Sequence, residues 1–314
     1  MFYTLSMSRP TYIEQPCRSA LNQVRGMPFR WSLNPYRGCV HGCHYCYARA
    51  THPYLGMNAG EDFSTRIVVK SNIADILCQE LRRRSWQRER VALGTATDAY
   101  QPCEGRFGLT RRCLELLLEG QTPVSIVTKS TLILRDLDLL SALASGPGAF
   151  VYFTITTLDP AVWRPLEPGA PPPAQRLRVM QRLSAAGVPA GVLLAPVLPG
   201  ITDAAASIEA VARAARDHGA LTFGSNALRL APPVKDHFLG LVATDYPDLL
   251  ARYQRAYTGA NAPDAYQAAL ARRIEAIRSR HGFTDDVMRR TLHRDETAAA
   301  GTHQQQLPLP MMLK

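Results

Sequence analysis

Short apolar runs alternate with amphipathic segments along the middle of this chain, and that alternation constrains the fold more than any other feature. The runs are Arg30–Asn34, Val91–Thr95 (VALGT), Val124–Thr128 (VSIVT), Phe150–Thr156 (FVYFTIT), Ala190–Pro196 (AGVLLAP) and Leu221–Leu230. They are nearly all apolar, the pattern of strands covered on both faces. The segments between them have helical spacing. Ser71–Arg84 sets Ile73, Ile76, Leu77 and Leu81 on one face, and Thr110–Glu119 carries Leu114, Leu117 and Leu118. Arg135–Ala144 follows the third run, Pro173–Ala186 carries Leu177, Met180 and Leu183 before Gly187, and Asp203–His218 also ends in a glycine. Strands alternating with helices of this length make βαβ units and a parallel sheet. Six units fit between residues 30 and 230. The pattern predicts an α/β fold and leaves a doubly wound sheet and a partial (β/α) barrel both open.

The character changes after Ala231. Val234–Ala256 and Pro263–His281 read as two helices, and the stretch beyond them is polar and then broken by prolines. Residues 1–29 have no strong periodicity. The expected organisation is an N-terminal extension over 1–29, a core over 30–232, a helical C-terminal extension over 233–290 and a flexible tail over 291–314. With 314 residues and 46% hydrophobic content, the chain is long enough to bury roughly 75% of its unfolded surface without disulfide staples. No run approaches the ~18 apolar residues of a membrane-spanning helix. The N-terminus carries charges and prolines where a signal peptide needs an apolar core. A cytoplasmic protein is expected.

The net charge is +10, and it is spread over both halves of the chain. The densest basic run, Arg82, Arg83, Arg84, Arg88 and Arg90 around Trp86, reads as a solvated helix end. The charge permits a polyanionic partner without demanding one.

The seven cysteines are an odd number, which in a reducing compartment argues against a disulfide framework. Cys39, Cys43 and Cys46 fall in SLNPYRGCVHGCHYCYARATH (32–52) with C-x3-C-x2-C spacing. Three thiolates on one loop suit a soft metal centre. Structural zinc wants four ligands, and His41, His44 or His52 would have to supply the fourth. An electron-transfer iron–sulfur cluster also wants four protein thiolates, and a fourth cysteine is missing nearby. A cubane cluster with one iron left open needs only three.

The C-x3-C-x2-C triplet with Tyr45 before its last cysteine resembles the signature of radical S-adenosylmethionine (radical SAM) enzymes, and NPYRGCVHGCHYCYAR is similar to their spore photoproduct lyase-like branch. GTATDAYQP (94–102), LTRRCLELL (109–117), TKSTLILRDLDLL (128–140), FTITTLDPAVWRPLEPGAPPPAQRL (153–177) and AGVPAGVLLAPVLPGITD (186–203) agree in the same order. The resemblance covers about residues 30–205 and extends weakly to about 260. It implies a partial (β/α)6 TIM-like barrel with a helical C-terminal extension, and a [4Fe-4S] cluster on Cys39, Cys43 and Cys46. S-adenosylmethionine on the open iron would be cleaved reductively to a 5′-deoxyadenosyl radical that abstracts a substrate hydrogen. An electron donor such as flavodoxin or ferredoxin is implied as partner.

The resemblance also suggests cofactor contacts, each at the C-terminal end of an expected strand. Thr97 and Asp98 would meet the methionine amino end, and Lys129 the carboxylate. Thr154 and Thr156 would bond the ribose hydroxyls, Ala195 would pass near the adenine, and Tyr45 and Tyr47 would flank the cofactor. Glu167 reads as a loop or cap residue, Arg37, Arg49 and Arg135 as loop braces, and Trp31, Trp86 and Trp163 as packing residues. Cys17, Cys78, Cys103 and Cys113 receive no role. The lyases of this branch use a cysteine as hydrogen donor just before the amino-binding turn. Thr95 stands there in this chain, which argues against thymine photoproduct repair. The substrate stays open, nucleic acid included. The alternative from another class is a non-catalytic zinc- or iron–sulfur-bearing nucleic-acid-binding protein.

Overall fold

A computed structural model describes residues 9–27 and 29–284. The tail expected over 291–314 lies outside these residues. Ten strands occur in chain order: β1 (Thr11–Gln15), β2 (Leu21–Gln23), β3 (Trp31–Leu33), β4 (Tyr36–Arg37), β5 (Arg66–Lys70), β6 (Val91–Leu93), β7 (Val124–Thr128), β8 (Ala149–Thr154), β9 (Ala190–Val197) and β10 (Thr222–Ala227). The helices are α1 (Asp62–Thr65), α2 (Ile73–Leu81), α3 (Glu104–Phe107), α4 (Leu109–Glu119), α5 (Leu137–Ser145), α6 (Pro160–Leu166), α7 (Pro173–Ala185), α8 (Ala205–Asp217), α9 (Pro232–Asp245), α10 (Pro247–Ala256) and α11 (Asp264–Arg280).

The main sheet has the order β10-β9-β8-β7-β6-β3-β2. Its strands β3, β6, β7, β8, β9 and β10 are parallel, and each pairs with the one before it in that series. A doubly wound sheet reverses its strand order at a switch point. This one never reverses, so it winds in a single sense. The fold is a partial (β/α)6 barrel, and the ambiguity left by periodicity is resolved. The central four strands, β6 to β9, are sealed in the core: Val91, Leu93, Val124, Ile126, Val151 and Val192 are all 0% exposed, whereas β10 leaves Asn226 exposed.

The flanking helices bury the stripes that their spacing predicts. In α7, Leu177, Met180 and Leu183 face the core, each contributing about 1.5–3 kcal/mol of burial. Gly187 then takes the left-handed conformation that stops the helix, with φ +79°.

Three features differ from expectation. Val234–Ala256 is two helices rather than one. Pro247 has no amide hydrogen and forces Tyr246 out of the helical region, to φ −139° and ψ 53°. Among the described residues of the N-terminal extension there are two strands that carry no apolar alternation. β2 joins β3 antiparallel, and β1 joins the small sheet β1-β5-β4 behind the cysteine loop. β2 is anchored at its start by the buried Glu80 carboxylate, which accepts from the backbone amides of Ala20 (3.2 Å) and Leu21 (2.8 Å). β5 (RIVVK) was not among the expected strands. Trp31 and Trp86 pack edge to face at 5.5 Å, as expected of packing residues.

A second apolar cluster lies against the C-terminal ends of the strands. Val234, Phe238, Val242, Tyr253 and Tyr257 of α9, α10 and the residue after α10 join Leu198, Leu228 and Leu230, and the cluster extends to Cys43 and Tyr45. Among the described residues no helix is long and apolar enough to cross a membrane.

Candidate active site

The cysteine loop leaves β3, makes the short strand β4, and turns sharply at Gly38. Gly38 has φ +79°, and a Cβ there would sit 2.8 Å from the Phe63 carbonyl oxygen, so only glycine fits. The loop closes with Cys39 N donating to Phe63 O (2.9 Å), Gly42 N to Cys39 O (3.1 Å) and Cys46 N to Cys43 O (3.2 Å). Arg49 braces it from within. Its buried guanidinium donates to the carbonyls of Cys43 (2.9 Å), Gly42 (2.6 Å), Ala59 (2.9 Å) and Gly60 (2.7 Å). Burial pulls the Arg49 pKa down, and the charges of Cys46, Cys43 and Cys39 pull against that.

Cys39 and Cys43 are buried and Cys46 is half-buried. Burial pushes the Cys43 thiol up to about 12, with Lys129 opposing and Glu167 assisting. Among the described residues no group of three or more His, Cys, Asp or Glu side chains converges on a single metal ion. A cluster distributes its thiolates over different irons, so it does not require such convergence. One ring nitrogen of each histidine in the segment meets another group, and His52 Nδ1 is buried with no hydrogen-bond partner among the described residues. His41 Nδ1 lies 3.3 Å from Asp98 Oδ2, His44 Nδ1 3.0 Å from His237 Nε2, and His52 Nε2 3.4 Å from Arg66 O.

Thr97 and Asp98, past the end of β6, fasten the loop to the sheet. Thr97 Oγ1 donates to Gly38 O (2.6 Å), and Gln101 Nε2 donates to the same carbonyl (3.0 Å) and to Thr97 Oγ1 (2.9 Å). The Asp98 carboxylate accepts from Thr128 Oγ1 (2.7 Å), Lys129 N (2.8 Å) and Tyr100 N (2.9 Å). Burial alone would raise its pKa, but His41, Lys129 N and Thr128 bring it down to about 2.

Lys129, just after β7, carries its ammonium 5.5 Å from the centroid of the Tyr45 ring. That ammonium makes no hydrogen bond or ion pair with the described residues. Burial would lower its pKa; Cys43 and Glu167 outweigh this and raise it.

At the end of β8, the Thr154 carbonyl accepts from Arg176 Nη1 (2.9 Å), and Thr156 Oγ1 donates to Glu167 Oε1 (3.2 Å). The Tyr45 hydroxyl donates to the same Glu167 oxygen, and Arg176 Nη2 donates to the other. Ala195 lies half-buried on the neighbouring strand, two residues past Leu193, which pairs with Thr154. Tyr47 is 57% exposed, and its hydroxyl donates to the Thr95 carbonyl. Asn34 holds that segment through Thr95 Oγ1 (3.1 Å) and Ala96 N (2.8 Å).

The structure thus gathers Cys43, Tyr45, Lys129, Thr156 and Glu167 into one polar cluster, with Thr97 and Asp98 binding the loop to β6 and β7. Sequence reasoning missed Arg176, Gln101, Asn34 and His237. Arg176 had a signal: it lies on the buried stripe of α7 beside Leu177 and Met180, and a charge there requires a buried acid.

Three comparisons bear on the site. Residues 33–213 match the family model described as the Radical SAM superfamily. Uncharacterized proteins of Mycobacterium tuberculosis and Mycobacterium bovis are 40% identical over 283 residues, covering 88% of this chain and 82% of theirs. One of Methanocaldococcus jannaschii is 28% identical over 62% of this chain and 71% of its own. Spore photoproduct lyase, solved as a mutant with bound AdoMet and dinucleoside spore photoproduct, matches with a TM-score of 0.66 at 17% identity, over 86% of this chain and 79% of that one. At that identity the likeness is one of fold.

Proposed function

The chain belongs to the radical SAM superfamily of enzymes, and on that premise we propose that Cys39, Cys43 and Cys46 bind a [4Fe-4S] cluster with one iron left open for S-adenosylmethionine. When bound and reduced by one electron, this cofactor pair supplies a 5′-deoxyadenosyl radical that takes a hydrogen atom from the substrate. The observation that carries the reading is Lys129, whose buried ammonium lies over the Tyr45 ring with no hydrogen bond or ion pair among the described residues and is electrostatically coupled to Cys43 and Glu167.

The protein's own part is to bind, orient and exclude water. Lys129 offers its ammonium to the methionine carboxylate as a point charge. Thr97 and Asp98 stand at the amino end while tying the cysteine loop to the sheet. Thr154 and Thr156 serve the ribose hydroxyls, Ala195 lines the adenine side, and Tyr45 and Tyr47 flank the cofactor. The apolar cluster of α9 and α10 against Cys43 and Tyr45 keeps solvent from that side of the loop. Enzymes of this superfamily need a reductant, here a flavodoxin- or ferredoxin-type donor. Thr95 in place of a hydrogen-donating cysteine disfavours photoproduct repair. The net charge of +10 accords with a nucleic-acid substrate.

A structural zinc site, the rival reading, needs four ligands around one ion, and among the described residues no three or more His, Cys, Asp or Glu side chains are placed to share one. Metal analysis of anaerobically purified protein separates the two. Iron with labile sulfide, both lost in Cys43→Ala, supports the cluster. About one zinc and no sulfide supports the rival.

A further inference from the structure

The segment after β10 lies outside the stretch that matches the superfamily model (33–213), yet it reaches the cysteine loop. Val234, Phe238 and Val242 of α9 share an apolar cluster with Cys43 and Tyr45. At that contact His44 Nδ1 and His237 Nε2 lie 3.0 Å apart. Their planes are almost parallel, 6° apart, with 5.0 Å between centroids, so the two rings meet edge to edge. A neutral imidazole has one donor and one acceptor nitrogen, so one ring donates and the other accepts.

His44 lies between Cys43 and Cys46 in the chain. Its backbone amide is fixed by Leu166 O (3.0 Å), and its side chain is fixed by His237. The four-residue span from Cys43 to Cys46 is therefore clamped from two sides, by the end of α6 and by α9. We propose that His237 is a positioning residue for the iron–sulfur site: by holding His44 it sets the disposition of the Cys43 and Cys46 sulfurs. The inference rests on the cluster reading of this loop. It gives the C-terminal extension a role in cofactor assembly.

The test compares His237→Leu and His237→Gln, the second keeping both a donor and an acceptor. After anaerobic reconstitution, three quantities are read: iron and sulfide per chain, the electron paramagnetic resonance spectrum of the dithionite-reduced protein, and the chelator concentration that strips half the iron. Outer partners of metal ligands are commonly worth 10–100-fold in affinity. His237→Leu is expected to lose iron at about tenfold lower chelator, with a changed spectrum, while the melting of the metal-free chain stays near wild type. His237→Gln is expected to recover most of both. If His237→Leu does not fold, His44→Ala takes its place and is expected to show the same loss. A wild-type spectrum and chelator resistance in the leucine variant, or a glutamine variant no better than leucine, overturns the inference alone. A wild-type chain that takes up no iron overturns the cluster reading, and this inference with it.

Discussion

Glu167 and Arg176 form an ion pair in which neither side chain is exposed to solvent. The pair joins α7 to the loop after α6. Through the Tyr45 and Thr156 hydroxyls, which donate to the same carboxylate, it ties both to the cysteine loop and to the end of β8. A buried guanidinium without its counter-ion is strongly destabilising.

Replacing Glu167 by glutamine is therefore expected to cost about 3–5 kcal/mol of stability, the usual loss when one partner of a buried pair is removed. Urea unfolding of the metal-free chain measures it. A cost below ~1 kcal/mol would mean that water reaches Arg176.

Asp98 makes the second dry contact, and its effect depends on pH. Burial would raise its pKa, but His41 and the donors from Lys129 and Thr128 bring it to about 2. That lies below the ~3.9 of a free aspartate, so the ionised form favours the folded state. The contribution is full above the unfolded value and fades as pH falls toward 2. The pH-dependent part of the stability gap between wild type and Asp98→Asn, about 2 kcal/mol, should close between about pH 5 and 2. Parallel melting of the two chains across that range checks it, and a constant gap contradicts it.

Gly169 brings the loop before α7 against the cysteine loop. A Cβ there would sit 2.1 Å from the Val40 carbonyl oxygen, and Gly169 N already donates to His41 O at 3.0 Å. Gly169→Ala must push the cysteine loop away, at about 1–3 kcal/mol. Iron uptake should fall with it. Unchanged uptake and melting would show that the two loops can separate freely.

Lys129→Met should behave differently. The ammonium has no hydrogen-bonded partner among the described residues, so the melting temperature should change little. Binding of S-adenosylmethionine to the reconstituted protein should weaken on the order of 10- to 100-fold, as expected when a hydrogen bond to a charged group is lost. Isothermal titration calorimetry measures it. A variant that binds as tightly as wild type removes Lys129 from the site.

The sequence made the central parallel strands legible because most of their side chains are buried, so Val124–Thr128 and Ala190–Pro196 read as largely apolar runs. The winding order was not legible, since periodicity describes an element and not its neighbours. β1 and β2 escaped notice because edge strands such as TYIEQ bury little and need no alternation. At the site, the cysteines and Lys129 stood out by residue type. The bonds that join Asp98 to Thr128 and Glu167 to Tyr45 did not, because they link positions 30 and 122 residues apart in sequence. His237 lies 193 residues from His44 and only the folded chain brings them together.

The central claim is the chemistry of the cysteine loop, and one product reads it directly. Wild-type protein reconstituted with iron and sulfide under anaerobic conditions is mixed with dithionite and S-adenosylmethionine, and 5′-deoxyadenosine is quantified. The account predicts 5′-deoxyadenosine from wild type and none above background from Cys43→Ala. A fully loaded wild-type protein that yields no more than that variant would contradict it.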